Sequence, residues 1–320
     1  MQKFMNMTKK VVDSPQNSIA HLLNRLANSE ILIGFLFILP SLIGFAIFYA
    51  YPAGRAVYIS LLKWNLLTDP EYVGLENYRT LFNDERFWES LRITLAYVLW
   101  NIPLQTGFAI FIAVMLERFS NALSTVMRSI MILPWLMPNI VVGLLWLWIL
   151  DPSIGLMNEF LIAIGIGKQS FMGSPGQAIE SIAAINIWRH TGYTAILIFA
   201  GLKTIPKGLY EASSIDGANA LRQFQSITLP LLRPVLVFVL VTSVIGSFQV
   251  FDTVAVTTDG GPAGSTRVII YYIFEQVFER RINMGVATAA SVVLFLILIM
   301  VTVVQMQFLR ASQSDLADYQ

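Results

Sequence analysis

The chain has 320 residues, 56% of them hydrophobic and only 13% charged, with a formal net charge of +1 and a mean hydropathy of +0.65. A soluble domain carries roughly 25% charged residues, so this composition excludes an ordinary globular protein. No basic stripe suggests nucleic acid, and none is expected as a partner; the absence of cysteine removes disulfides, thiol chemistry and thiolate metal sites.

Six apolar runs remain, each close to the ~20 residues that cross a bilayer as a helix. They predict an all-α polytopic membrane protein with six transmembrane helices. Residues 1–30 read as a tail and an interfacial helix. Met1–Asn17 is polar and has no apolar core close behind it, so it is not a cleavable signal peptide. Ser14-Pro15 reads as a helix start, and Ile19, Leu22, Leu23 and Leu26 then recur at helical spacing. A short amphipathic helix along the membrane surface is expected there, with a disordered tail as the alternative.

The first span is expected over Ile31–Tyr51, with Pro40 inside it, which membrane helices tolerate. Between Trp64 and Arg92 lies an acidic region divided by turn signals at Asp69-Pro70 and Gly74. It predicts a small extramembrane cap of short packed helices. Further spans are expected over Ile93–Leu116, interrupted by Asn101, Pro103 and Gln105, and over Ile130–Leu150, which contains Pro134, Pro138 and Asn139. A glycine-rich loop from Asp151 to Glu180 leads to the fourth span, Ser181–Leu202, which alone carries ionisable residues, Arg189 and His190. The fifth span is expected over Pro234–Phe251, ending at Asp252, and the sixth over Ile282–Leu309, followed by a tail over residues 311–320. An even number of spans places both termini on one side, and the small excess of Lys and Arg there assigns that side to the cytoplasm.

Enzyme signatures are missing. Gly165-Ile166-Gly167-Lys168 lacks the spacing and the hydroxyl of a phosphate-binding loop. His21 and His190 are the two histidines, too few for a helical zinc-protease motif, and no nucleophile-elbow pattern accompanies a span serine. The chain is expected to perform no chemistry and to hold no metal or cofactor of its own.

The polar island of residues 205–233, between the fourth and fifth spans, has a legible design. Pro206 opens a short helix, Lys207–Ser214, with Glu211 near its middle. Asp216 is expected to cap a second helix, Gly217–Thr228, by accepting from its first amides, and Gly217 to let another backbone come close. Ala218, Leu221, Phe224 and Ile227 form an apolar ridge that stops at Leu229-Pro230. Such a ridge suits a groove in a partner protein or a surface helix resting on its own membrane domain, and spacing leaves both open.

Glu211-Ala212-Ser213, Gly217, Ile227, Leu229 and Pro230 resemble the E-A-A-x3-G-x9-I-x-L-P signature of permease subunits of binding-protein-dependent ABC importers, with Ser213 where alanine is usual. Phe37-Ile38-Leu39-Pro40, Val73-Gly74-Leu75-Glu76-Asn77-Tyr78 and Thr258-Asp259-Gly260-Gly261-Pro262 look like the sugar-permease branch, close to maltose-transporter membrane subunits. The resemblance runs from about Ile31 to Leu309. It implies a type I ABC importer transmembrane domain in a bacterial inner membrane, working with a second permease subunit, two ATP-binding cassette subunits that hold ATP and Mg, and an extracytoplasmic solute-binding protein. It also implies that residues 205–233 form a cytoplasmic coupling helix seated on the ATPase.

A translocation path needs polar groups inside the bundle. On the fourth span Asn186, Trp188, Arg189 and Tyr193 are the candidates; on the fifth, Ser243, Ser247, Phe248, Gln249 and Asp252. Arg189 inside a span is either functional or snorkels to an interface, and the serine stripe serves either the path or ordinary helix contacts. A sugar is the expected solute, with a glycerol-phosphate-type anion as the alternative through Arg189 or Arg267. A stand-alone secondary transporter would be the reading if no ATPase partner existed, and an intramembrane hydrolase would depend on His190.

Overall fold

A computed structural model describes residues 30–279 and 282–310. The interfacial helix and both tails expected from the sequence therefore lie outside the described residues. The chain divides into a unit ending at Tyr58 and a unit from Ile59 onward.

The first unit is one apolar helical run, Glu30–Phe45, continued by a π-turn over Ala46–Ala50 and a helix over Tyr51–Ile59. The end expected at Tyr51 is corrected, because the helix passes through Tyr51-Pro52. A proline ring collides with the carbonyl four residues earlier in a regular helix. Here the Tyr51 N–H bonds the Ala46 carbonyl, five residues back, and the wider turn accommodates the ring.

The second unit opens with two antiparallel strands, Leu62–Lys63 and Glu71–Tyr72, which the helical expectation for this cap had missed. Buried Asn77 ties them to the following helix, Glu76–Asn83, by donating to the Ser60 and Leu62 carbonyls at 2.8 Å each. Asp84 then accepts from the Arg86 amide and caps a 34-residue helix, Glu85–Arg118. That helix starts before the expected Ile93 because the cap lies in the polar region.

The third expected span is not one helix. Asn121–Met131, Leu133–Leu136 and Asn139–Ile149 follow one another, and the axis bends by 96° at the break before Asn139. Met137 is extended, at φ −73° and ψ 141°, as the residue before a proline prefers. The loop after Asp151 contains an unexpected helix, Leu156–Ala163, held by buried Asn158, which exchanges hydrogen bonds with the Gln169 backbone at 3.0 and 2.9 Å. The fifth run is a helix over Arg233–Phe248 that breaks and resumes over Asp252–Thr257, past its expected end, and the last helix is Met284–Arg310.

Among the described residues four helices are long and apolar enough to cross a membrane: Ile33–Ile59, Glu85–Arg118, Arg233–Thr257 and Met284–Gln307. The bent pair from Asn121 to Ile149 makes a fifth crossing if it counts as one. The Ala178–Leu202 helix has 25 residues, long enough to cross, but its polar content keeps it below the same apolar standard. Its surroundings are protein: Ala183, Ala195 and Ile198 are buried, and it packs most extensively against Glu85–Arg118. Gly192 makes one close approach possible, since a Cβ there would sit 1.9 Å from the Met131 carbonyl oxygen.

Candidate functional site

A cavity of about 290 Å³ lies where the Glu85–Arg118, Ala178–Leu202 and Arg233–Phe248 helices meet, closed on one side by the helix break near Trp135 and by Asp252. Its polar wall is built from carboxamides and hydroxyls one helical turn apart. Buried Asn101 donates to Ser247 Oγ at 2.9 Å, and buried Gln105 donates to Thr194 Oγ1 at 2.9 Å. These two bonds join three helices. Asn101 Oδ1 remains buried without a partner, an arrangement that disfavours an empty site.

Arg189 lies near the middle of its helix and does not run to an interface. Its Nη2 donates to the Trp135 and Met137 carbonyls at 3.2 and 2.9 Å, so it caps the end of the Leu133–Leu136 helix at the bend. Its Nη1 lies 3.1 Å from His190 Nε2, while His190 Nδ1 lies 2.9 Å from the Asn186 carbonyl. A carbonyl only accepts and a guanidinium only donates, so the proton belongs on Nδ1 and the ring is neutral. Asp252 stands near Arg189 and accepts from Asn139 Nδ2. The cation is thus held by carbonyls and balanced by a nearby carboxylate.

Of the residues expected on the path, Asn186, Arg189, Tyr193, Ser243, Ser247, Gln249 and Asp252 border this cavity. Trp188 and Phe248 do not. Trp188, one residue and about 100° around the helix from Arg189, faces away, 39% exposed and edge-on to Trp146 at 5.4 Å. Phe248 is 2% exposed within the apolar core beside Val244 and Tyr271. Sequence reasoning missed Tyr97, Asn101, Gln105, Trp135, Asn139 and Thr194. Carboxamides inside otherwise apolar runs were the available signal for three of them. Trp135 stacks on Tyr193 with centroids 4.4 Å apart and planes at 8°, presenting a flat aromatic pair at the cavity.

The polar island departs from its expected capping. Its first helix spans Lys207–Ile215 and ends in a left-handed Gly217, at φ +77°. The Gly217 N–H bonds the Ser214 carbonyl and the Ala218 N–H bonds the Ser213 carbonyl, at 3.1 and 2.9 Å, the paired bonds of a glycine-terminated helix. Asp216 therefore closes the first helix and does not cap the second. That cap is Asn219, whose side chain accepts from the Arg222 amide at 2.9 Å. The second helix is Ala220–Gln223 with a π-turn over Phe224–Thr228, and helical turns continue across Leu229–Leu231 through Pro230 where a stop was expected.

The expected ridge divides as well. Ala218 precedes the helix, Leu221 is 63% exposed and Phe224 half-buried, while Ile227 packs inward on the cluster of Leu202, Leu232 and Val239. Glu211, Ala212 and Asp216 are exposed, and Ser213 is half-buried, donating to the Tyr210 carbonyl.

Comparison with known proteins places this architecture. Residues 105–313 match the family described as binding-protein-dependent transport system inner membrane component. The chain is 32% identical over 289 residues to the trehalose/maltose transport system permease protein MalF of Thermococcus litoralis, covering 90% of this chain and 97% of the relative. It is also 32% identical over 282 residues to the sn-glycerol-3-phosphate transport system permease protein UgpA of Yersinia enterocolitica, covering 86% and 93%. A bacterial ABC transporter involved in the import of the acidic polysaccharide alginate shares the fold, with a TM-score of 0.77 at 24% identity over 91% of this chain and 99% of the other. The chain therefore belongs to the binding-protein-dependent transport system inner membrane components, the permease subunits of ABC importers.

Proposed function

We propose that the chain is one of two permease subunits of an ATP-driven importer for a neutral, sugar-like solute handed over by an extracytoplasmic binding protein. The observation that carries this reading is the polar cavity inside the bundle. Carboxamides both donate and accept, so Asn101, Gln105 and Asn186 can pair with hydroxyls of either role, and the Trp135–Tyr193 stack offers an apolar face to a sugar ring.

Charge favours a neutral solute over an anion. Arg189 is engaged by two carbonyls and balanced by Asp252, and Arg267 is paired with Glu275 at 2.9 Å. Each guanidinium thus already has a compensating carboxylate nearby. The trehalose/maltose relative supports the sugar, and the glycerol-phosphate relative keeps the anion as a second reading.

Residues 205–233 are the coupling element, on the cytoplasmic side together with both termini. Glu211 and Asp216 meet a separate ATPase subunit, which holds ATP and Mg. Closure of the ATPase dimer pulls on this turn and rocks the helices around the cavity. Reconstitution with the ATPase, second permease and binding protein in proteoliposomes tests the reading. ATP-dependent uptake of a labelled sugar, unaffected by sn-glycerol 3-phosphate, is expected. Uptake of sn-glycerol 3-phosphate alone would overturn the neutral assignment, and ATP hydrolysis by this chain by itself would overturn the division of labour.

A further inference from the structure

Glycine is the poorest helix former after proline, so a glycine inside a long helix asks for a reason. Gly143, Gly192 and Gly201 have one in the packing. A Cβ there would come within 3.3 Å of Val256, 1.9 Å of the Met131 carbonyl oxygen and 2.8 Å of Val235, respectively. Gly246, inside the Arg233–Phe248 helix, has no such reason, because a Cβ there would meet no atom of the chain within 4 Å.

Its position supplies one. Gly246 borders the polar cavity, and so do Val239 and Ser243, seven and three residues before it. That spacing is one face of a helix, so a side chain at 246 would join theirs on the cavity wall. The cavity, at about 290 Å³, lies close to the lower limit of small-molecule sites, about 300–1,000 Å³, and a solute of sugar size would fill it. A wall position without a Cβ is where an occupant can approach the helix backbone. Gly107 is the contrast. It is exposed within the spanning Glu85–Arg118 helix and equally unobstructed, yet it does not line the cavity.

We propose that Gly246 gauges solute size, a role that rests on the polar cavity being the solute site. The sugar passes against the bare backbone at Gly246, and any side chain at that position lowers the upper limit on what the cavity admits. The glycine is thus a specificity determinant that needs no polar atom of its own.

The test uses the assembled transporter in proteoliposomes, with labelled glucose, maltose and trehalose offered in turn. Gly246→Ala should cut uptake of the imported sugar roughly tenfold, the effect of about one methylene in a fitted pocket, and Gly246→Val should cut it further. Neither should lower the melting temperature or release the second permease, and Gly107→Ala should change nothing. Because the chain has no cysteine, Gly246→Cys and Gly107→Cys each provide a single thiol, with labelling of this chain read by mass spectrometry. N-ethylmaleimide should label the thiol at 246 in preference to that at 107, and the imported sugar should protect it. The larger fluorescein-5-maleimide should not enter. If wild type imports none of the three sugars, the solute reading has failed, and the two maleimides still decide the gauge. Equal uptake by the alanine and valine variants would assign Gly246 to helix flexibility and overturn the proposal. So would loss of the second permease from the valine variant, N-ethylmaleimide failing to prefer position 246, or equal entry of the two maleimides.

Discussion

Replacing Gly217 with asparagine, alanine and leucine separates two reasons for a glycine at the turn within residues 205–233, the proposed coupling element. The backbone reason is its φ of +77°. A side chain in that conformation costs about 1–2 kcal/mol, and asparagine tolerates it best among residues with a Cβ. The contact reason is outside the chain, because a Cβ here would meet no atom of the protein within 4 Å. Within the isolated chain alanine and leucine should therefore cost the same, about 1 kcal/mol, a roughly fivefold drop in the population of the ordered turn. If an ATPase surface seats against the turn, leucine adds an overlap that alanine does not, and overpacking costs typically 1–3 kcal/mol more. The expected order of ATP-driven uptake in proteoliposomes is wild type, asparagine, alanine, leucine, with leucine at least about fivefold below alanine and its ATPase association weakened on size exclusion. Equal uptake by the alanine and leucine variants would refute the seating. Asparagine falling below alanine would refute the backbone argument.

Gly192→Ala should lower the melting temperature of the detergent-purified protein, since its Cβ collides with the Met131 carbonyl, and Gly208→Ala, where a Cβ meets nothing, should not. Asn101→Leu leaves buried Ser247 without its donor, a cost of about 1–3 kcal/mol, and should cut solute uptake at least tenfold while the complex still assembles and hydrolyses ATP. Arg189→Lys should be nearly as damaging to uptake as Arg189→Gln, because a single ammonium point does not reproduce the guanidinium that reaches two carbonyls and His190. Tyr271, between the last two spanning helices, has its phenol pKa raised above 10.0 by burial first and then by its bonds to Asp259 and Glu279. A raised pKa favours the protonated form in the fold, so this stabilisation is complete below pH 10 and is lost only as pH rises through the higher folded value. Ultraviolet titration of Tyr271→Phe against wild type should show no difference near pH 10; a tyrosinate lost there would contradict this.

Hydropathy located the apolar helices, but it reports only average polarity, and the departures lie where single residues decide geometry. The prolines at 134 and 138 were visible in the third run, yet tolerated and breaking prolines look alike in composition. The 96° bend follows from two of them within five residues and from extended Met137. Asp216 and Asn219 are both good caps by residue type; Gly217 turning left-handed between them assigns the second helix to Asn219. In the cavity, the half on the fourth and fifth runs was legible because Arg189 and Asp252 mark it. Asn101 and Gln105 were read as interruptions of a span, and only the facing helices show that they point at Ser247 and Thr194. Trp188 shows the reverse error: adjacency in sequence to Arg189 is a 100° separation on the helix.

The two buried bonds from Asn101 and Gln105 also act as a gear tooth. Sliding Glu85–Arg118 by one residue, about 1.5 Å, would break both at once. A four-residue slip would bring in Tyr97 and Asn101, or Gln105 and Ala109, which do not reproduce the pattern. These three helices are therefore locked as one moving part, and any rocking of the bundle has to take its play from elsewhere. The kink at Met137-Pro138 is tied to the same group, because Arg189 on the Ala178–Leu202 helix donates to the Trp135 and Met137 carbonyls.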